Sequence, residues 1–179
     1  MTELSVILPV FDERDNLQVL YGELVQTLEA LARSYEVLFV DDGSKDASVE
    51  KMRAFKMERN ADWLRIVRLV ANAGQSAAVM AGVEQARGPI IATLDGDMQN
   101  DPRDIPSMLE RVESGECDAV VGVRAKRQDT LTRRMSSRVG NGVRNFLTGD
   151  KVKDAACGIK VIRRPYFVRA PRFVGMHRF

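Results

Sequence analysis

Histidine is all but missing from this sequence: His177 is the only one in 179 residues. No Ser-His-Asp triad is therefore expected, and a lone histidine near the end of a chain reads as structural. Cysteine is scarce as well, and Cys117 and Cys157 lack the paired spacing of a zinc site. Both read as core residues in a reducing compartment, with neither a catalytic thiol nor a disulfide supported. No apolar run approaches the ~20 residues that cross a bilayer. Met1-Thr2-Glu3 leads straight into a strand-like run, so no signal peptide is expected. Aromatic residues are few, which speaks against base stacking, and no nucleic-acid partner is expected. The phosphate-binding strings G-x-x-x-x-G-K-S/T and G-x-G-x-x-G after the first strand are absent too. Internal repeats and low-complexity tracts are not found.

What is present describes one ordinary globular domain, 45% hydrophobic and 29% charged. Its net charge of +2 conceals a division. Residues 120–179 hold 15 Lys and Arg against 3 Asp and Glu, a net +12, whereas residues 1–119 hold 12 against 22, a net −10. An acidic first part and a basic last part suit a protein that binds a cation with one and phosphates with the other. A solvated basic face is the plainer alternative.

Strand and helix signals alternate along the chain. Strands are expected at 4–10, 35–40, 64–70, 89–94 and 119–123, and a further one at 158–162. Leu17, Leu20, Leu24, Leu28 and Leu31 recur at helical spacing. Further helices are expected from Asp46 through Met57, over Gly74–Ala86, over Pro102–Val112 and over Thr132–Leu147. The Ala- and Gly-rich third helix would pack closely on a sheet. Residues 124–129 read as a charged loop. This β-α alternation predicts an α/β domain with a parallel sheet and helices on both faces. No linker composition divides it, so residues 1–179 form one domain.

In open α/β sheets ligands bind beyond the carboxyl ends of the strands, and the polar residues gather there. The strands run out into Asp12-Glu13, Asp41-Asp42-Gly43-Ser44, Asn72-Ala73-Gly74, Asp95-Gly96-Asp97 and Arg124. Turn chemistry alone explains any one of these groups; five on one edge favour a metal-nucleotide crevice. Asp95 and Asp97, with Gln99 adding a neutral oxygen, can hold Mg²⁺ or Mn²⁺, which take oxygen ligands. A calcium loop does not fit, because the positions that need Gly and Glu hold Asn100 and Pro106. Phosphates would then rely on that metal and on arginines.

The order of these motifs resembles a known family. Val10-Phe11-Asp12-Glu13-Arg14-Asp15-Asn16-Leu17, Asp41 through Asp46, Asn72-Ala73-Gly74-Gln75, Asp95 through Pro102 and Asp154-Ala155-Ala156-Cys157-Gly158 follow one another, and Gly175-Met176-His177-Arg178-Phe179 closes the chain. Together they resemble family 2 glycosyltransferases of GT-A fold, in the dolichol-phosphate mannosyltransferase-like, polyprenyl-phosphate branch. Asp12 stands where Asn is frequent and Gly96 where Ala is frequent; neither change removes a needed group.

The resemblance implies a GT-A, Rossmann-like, mostly parallel sheet and an inverting, metal-dependent transfer of a sugar from a GDP- or UDP-sugar to a polyprenyl phosphate. Pro9, Phe11, Glu13 and Asp42 would hold the base and ribose, with Gly74, Asp95, Gly96 and Arg124 also on the nucleotide sugar. Asp95, Asp97 and Gln99 would face the metal. Arg124, Arg133 and Ser137 would bind donor or acceptor phosphate, and Asp154 would be an acceptor-side carboxylate or base. Asp97, Asp154, Arg124 and Arg133 are thus the catalytic candidates. Residues 1–119 would form the donor part and 120–179 the acceptor part. The resemblance also implies a cytoplasmic place at the membrane surface, with a membrane-associating region following Phe179. The alternatives are a family 2 enzyme acting on a saccharide or other hydroxyl acceptor and a non-catalytic nucleotide-binding or scaffold module.

Overall fold

The computed structural model describes residues 1–123 and 157–169. The central strand β1 (Leu4–Val10) is buried along its whole length. An unbroken apolar run of this kind suits a parallel strand covered on both faces. β1 pairs in parallel with β2 (Tyr35–Asp41), in register from Leu4 opposite Tyr35 to Val10 opposite Asp41. On its other side it pairs in parallel with β4 (Ile90–Thr93). β3 (Leu64–Arg68) continues the sheet beyond β2. The remaining strands are β5 (Ala119–Val121) and β6 (Lys160–Arg163), and the spatial order is β3-β2-β1-β4-β6-β5.

Strand alternation sorts the core into two faces. Val6, Leu8, Val37 and Phe39 point to one face and pack with α1 (Arg14–Ala30), α2 (Ser48–Glu58) and α4 (Ile105–Glu113). Ile7, Val40 and Ile91 point to the other and meet α3 (Gln75–Gln85) and α5 (Arg164–Arg169). The leucine period of α1 is the buried stripe it predicts: Leu17, Leu20, Leu24 and Leu28 are all fully buried. On α3 a Cβ at Gly82 would lie 2.5 Å from Ile7 Cγ2 and 3.1 Å from Val40 Cγ2. The small residue there is what lets the helix sit down on β1 and β2.

Three features depart from the sequence expectations. β6 covers Lys160–Arg163 rather than 158–162 and runs antiparallel to both β4 and β5. It therefore separates β5 from β4, which a βα alternation alone would have placed side by side. β5 ends at Val121 rather than Val123; Arg124, the charged loop and the helix over 132–147 lie outside the described residues. The stretch from Pro102 begins as a 3₁₀ turn (Pro102–Asp104), with the Asp101 carboxylate accepting from the Arg103 N–H, before α4 starts.

At the amino end of the sheet, opposite the polar strand ends, Glu36 is buried at 3% exposure. Its Oε1 accepts from Ser5 Oγ (2.7 Å) and the Arg87 N–H (2.6 Å), and its Oε2 from Arg65 Nη1 (2.9 Å). Burial pushes this carboxyl up, and the hydrogen bonds from Ser5, Arg87 and Arg65 outweigh it, so the net displacement is downward.

Candidate functional site

The sheet order reverses direction at β1: its successor β2 lies on one side and β4 on the other. Such a switch point leaves a crevice beyond the carboxyl ends of the flanking strands. The structure has one there, a cavity of about 330 Å³. Pro9, Val10, Phe11 and Glu13 line it from β1 and its loop, Asp42 from the end of β2, Asn72, Gly74 and Gln75 from the start of α3, and Asp95, Gly96 and Asp97 from the end of β4.

The loops around the crevice are cross-braced. The Asp12 N–H donates to Ser44 Oγ (3.0 Å), and the Glu13 N–H to Ser48 Oγ (3.1 Å). Asp12 Oδ1 accepts in return from the N–H groups of Lys45 (2.7 Å) and Asp46 (3.2 Å). Asp46 accepts from the Ser48 N–H at the start of α2 (2.9 Å) and from the Arg14 N–H at the start of α1 (3.1 Å). One carboxylate thus satisfies orphan amides of two helices. Burial pushes Asp46 up, and the bonds from Ser48 and Arg14 override it and lower its pKa. The polar group at the end of β1 therefore splits in role. Asp12 holds the neighbouring loop, while Glu13 lines the crevice and accepts from Asn16 Nδ2 at 2.6 Å.

The β2 end divides in the same way. Asp41 is fully buried, accepting from the Ser44 N–H (3.0 Å) and Arg68 Nε (3.2 Å). Gly43 has φ +78°, and a Cβ there would lie 2.9 Å from the Asn72 N. These residues are turn architecture. Asp42 is the one that reaches the crevice, and both its oxygens are engaged: Oδ1 accepts from the Ala73 N–H (2.7 Å) and Oδ2 from the Gly74 N–H (2.9 Å).

At the β4 end, Asp95 is half-buried and its Oδ1 accepts from Gln75 Nε2. Asp97 is exposed and accepts from the Gln99 N–H (3.1 Å), closing a turn through Met98 at φ +61°. A Cβ at Gly96 would touch Glu13 Cγ and the Pro9 carbonyl oxygen at 3.4 Å, so an alanine there would also fit.

Of the sequence candidates, Pro9, Phe11, Glu13, Asp42, Gly74, Asp95, Gly96 and Asp97 therefore come together. Gln99 is exposed and does not line the crevice. Arg124, Arg133, Ser137 and Asp154 lie outside the described residues. Asn72 and Gln75 join the lining without having been assigned a role; their place in the Asn72–Gln75 motif was the available signal.

Four carboxylates line this crevice, and among the described lining residues there is neither Lys nor Arg. A diphosphate could enter only with cationic company. Among the described residues no three acidic, imidazole or thiol groups converge into a complete metal cluster. The pair Asp95 and Asp97 nevertheless fits a Mg²⁺-like ion, which takes one or two carboxylates and completes its shell with phosphates and water.

A mostly parallel sheet of this order, with an acidic crevice at its switch point, is the GT-A form of α/β domain. Residues 5–169 match the profile of glycosyl transferase family 2, and the chain belongs to that family. It is 39% identical over 178 residues to dodecaprenyl-phosphate galacturonate synthase of Rhizobium johnstonii, covering 99% of this chain and 52% of that protein. It is 40% identical over 161 residues to undecaprenyl-phosphate 4-deoxy-4-formamido-L-arabinose transferase of Pseudomonas aeruginosa, covering 90% and 47%. The chain thus spans about half the length of these curated relatives. Among solved structures it resembles glucosyl-3-phosphoglycerate synthase of Mycobacterium tuberculosis, crystallised with Mn²⁺, uridine diphosphate and phosphoglyceric acid. The TM-score is 0.69 at 19% identity, over 92% of this chain and 56% of that one. Residues 1–349 of S. aureus TarS share the fold at a TM-score of 0.62 and 18% identity, covering 91% and 47%.

Proposed function

We propose that this chain is the catalytic part of an inverting glycosyltransferase that moves a sugar from a nucleotide sugar to a polyprenyl phosphate. The observation that carries the donor half is the crevice of four carboxylates at the β1/β4 switch point, with Asp95 and Asp97 on one wall. The acceptor half is supported by the names of the two relatives, both polyprenyl-phosphate sugar transferases.

In this reading Pro9, Phe11, Glu13 and Asp42 hold the base and ribose, and the backbone at Gly74 and Gly96 admits the rest of the nucleotide sugar. A Mg²⁺ or Mn²⁺ ion on Asp95 and Asp97, with Gln99 nearby in sequence, would offset the charge that grows on the departing diphosphate. Arg124 and Arg133 neutralise donor or acceptor phosphate from the basic part, and Ser137 also binds phosphate. The acceptor oxygen attacks the anomeric carbon from the side opposite the leaving diphosphate, which inverts that centre. A lipid phosphate is already anionic near neutral pH, so it needs no strong general base. Asp154 accordingly matters less than Asp97. The +12 net charge of residues 120–179 suits a surface facing anionic lipid headgroups on the cytoplasmic side, at ~1 kcal/mol for each basic residue near the membrane.

The test is incubation with labelled UDP- and GDP-sugars, polyprenyl phosphate and Mg²⁺ or Mn²⁺. The expected result is label in the lipid fraction that disappears in EDTA. Transfer to saccharide hydroxyls but never to the lipid phosphate would overturn the acceptor assignment. Failure to bind UDP or GDP with metal present would overturn the donor assignment and favour a non-catalytic scaffold.

A further inference from the structure

We propose that Gln75 and Gly158 are positioning residues that hold the Asp95 carboxylate in one orientation, an inference that rests on the donor site proposed above. Asp42 follows β2 and Asp95 follows β4, so the two lie on opposite flanks of β1. The segment before α3 spans that gap. Asp42 grips it at one end through the Ala73 and Gly74 amides (2.7 and 2.9 Å). Gly74 then turns the chain with φ +91° and ψ 157°, a conformation close to glycine-only. The next residue, Gln75, reaches across the end of β1 and donates from Nε2 to Asp95 Oδ1.

Gly158 acts on the other oxygen. A Cβ built on it would lie 1.8 Å from Asp95 Oδ2 and 2.0 Å from Asp95 Cγ, an overlap that the Asp95 carboxylate would have to swing away to relieve. The Cys157-Gly158 segment is itself held against β4 and the loop after it at two points. Thr93 Oγ1 donates to the Gly158 carbonyl (2.8 Å), and Cys157 Sγ donates to Asn100 Oδ1 (3.2 Å), with both side chains buried. Among the described residues, Gln75 thus meets Asp95 with a donor on one side and Gly158 with a bare Cα on the other. A carboxylate fixed before the ligand arrives loses less freedom on binding, which is the physical content of preorganisation. This gives the Cys157-Gly158 end of the Asp154–Gly158 motif a role separate from that of Asp154.

The experiment is calorimetric titration of the chain with UDP and with GDP, each in Mn²⁺ and in EDTA, beside a thermal melt. Gln75→Met keeps side-chain length and removes the donor; because Gln75 is exposed, its melt should match that of the parent. Without the donor the Asp95 side chain must be ordered on binding, which predicts affinity up to about tenfold weaker in Mn²⁺, with affinity in EDTA unchanged. Gly158→Ala should show the same selective loss together with a lower melting point. If Gly158→Ala does not fold, the Gln75→Met comparison still decides. Parent-like affinity of Gln75→Met in Mn²⁺, or an equal loss in Mn²⁺ and EDTA, would overturn the inference while leaving the donor site standing. A parent chain that binds neither nucleotide better in Mn²⁺ than in EDTA would instead overturn the donor site, and the inference with it.

Discussion

Replacing Glu36 by Gln should destabilise the fold by about 3 kcal/mol near neutral pH, and by much less in acid. The carboxylate is 3% exposed and accepts three hydrogen bonds, from Ser5 Oγ, the Arg87 N–H and Arg65 Nη1. Ser5 Oγ also accepts from the Gly88 N–H at 2.9 Å, so the disturbance extends to the chain just before β4. Gln offers one acceptor oxygen in place of two and turns an N–H₂ toward groups that are themselves donors. Breaking a buried ion pair from one side costs about 3–5 kcal/mol. Arg65 keeps 22% of its side chain in solvent, which places the expectation at the lower end. The carboxyl is displaced downward in the folded protein, so the sign follows. Its contribution is fully present above the unfolded value of about 4.3 and is lost as pH falls through the lower folded value. Urea unfolding of the parent and Glu36→Gln at pH 7, 5, 4 and 3.5 measures this. The gap between the two should stay constant from pH 7 to 5 and narrow below about pH 4.3. A difference under about 0.5 kcal/mol at pH 7, the range of ordinary surface changes, would refute the reasoning. So would a gap that widens in acid.

Gly82→Ala forces a methyl to 2.5 Å from Ile7 Cγ2; overpacking of this kind costs about 1–3 kcal/mol, read as a lower midpoint in urea. Tyr21 is stacked on Phe55 at 4.2 Å and 4°, and its buried hydroxyl has no hydrogen-bond partner among the described residues. Tyr21→Phe should therefore raise stability by about 1 kcal/mol, or roughly 2–4 °C in a melt. Asp97→Asn should abolish transfer with Mn²⁺ present, whereas Asp154→Asn should only reduce it. Parent-like activity of Asp97→Asn would remove that residue from the metal site, and a severe Asp154→Asn defect would favour a hydroxyl acceptor.

Much of the architecture was legible in one dimension because local periodicity reports local burial. The leucine steps of α1 and the unbroken apolar run of β1 each mark which sides of an element are covered, and both are covered as expected. The Asp95-Gly96-Asp97 string was legible for a related reason: a strand that runs out into acidic residues ends at the sheet edge where ligands bind. The antiparallel insertion of β6 between β4 and β5 was not legible, because strand order depends on contacts between distant segments. Glu36 was equally hidden, since its partners lie 29 to 51 positions away.

The amino-acid sequence by itself determined the α/β class, the family, and the identity of the carboxylates gathered at the strand ends. Spacing, turn chemistry and strand ends are written locally and need no third dimension. Only the tertiary structure decided how those carboxylates are used. It turned Asp12 and Asp41 into loop and core supports, brought Asp42 and Asp95 to the two flanks of β1, and set Gln75 and Gly158 against Asp95. The reason is physical: a carboxylate is a ligand or a strut according to which donors surround it, and those donors come from parts of the chain that only folding brings together.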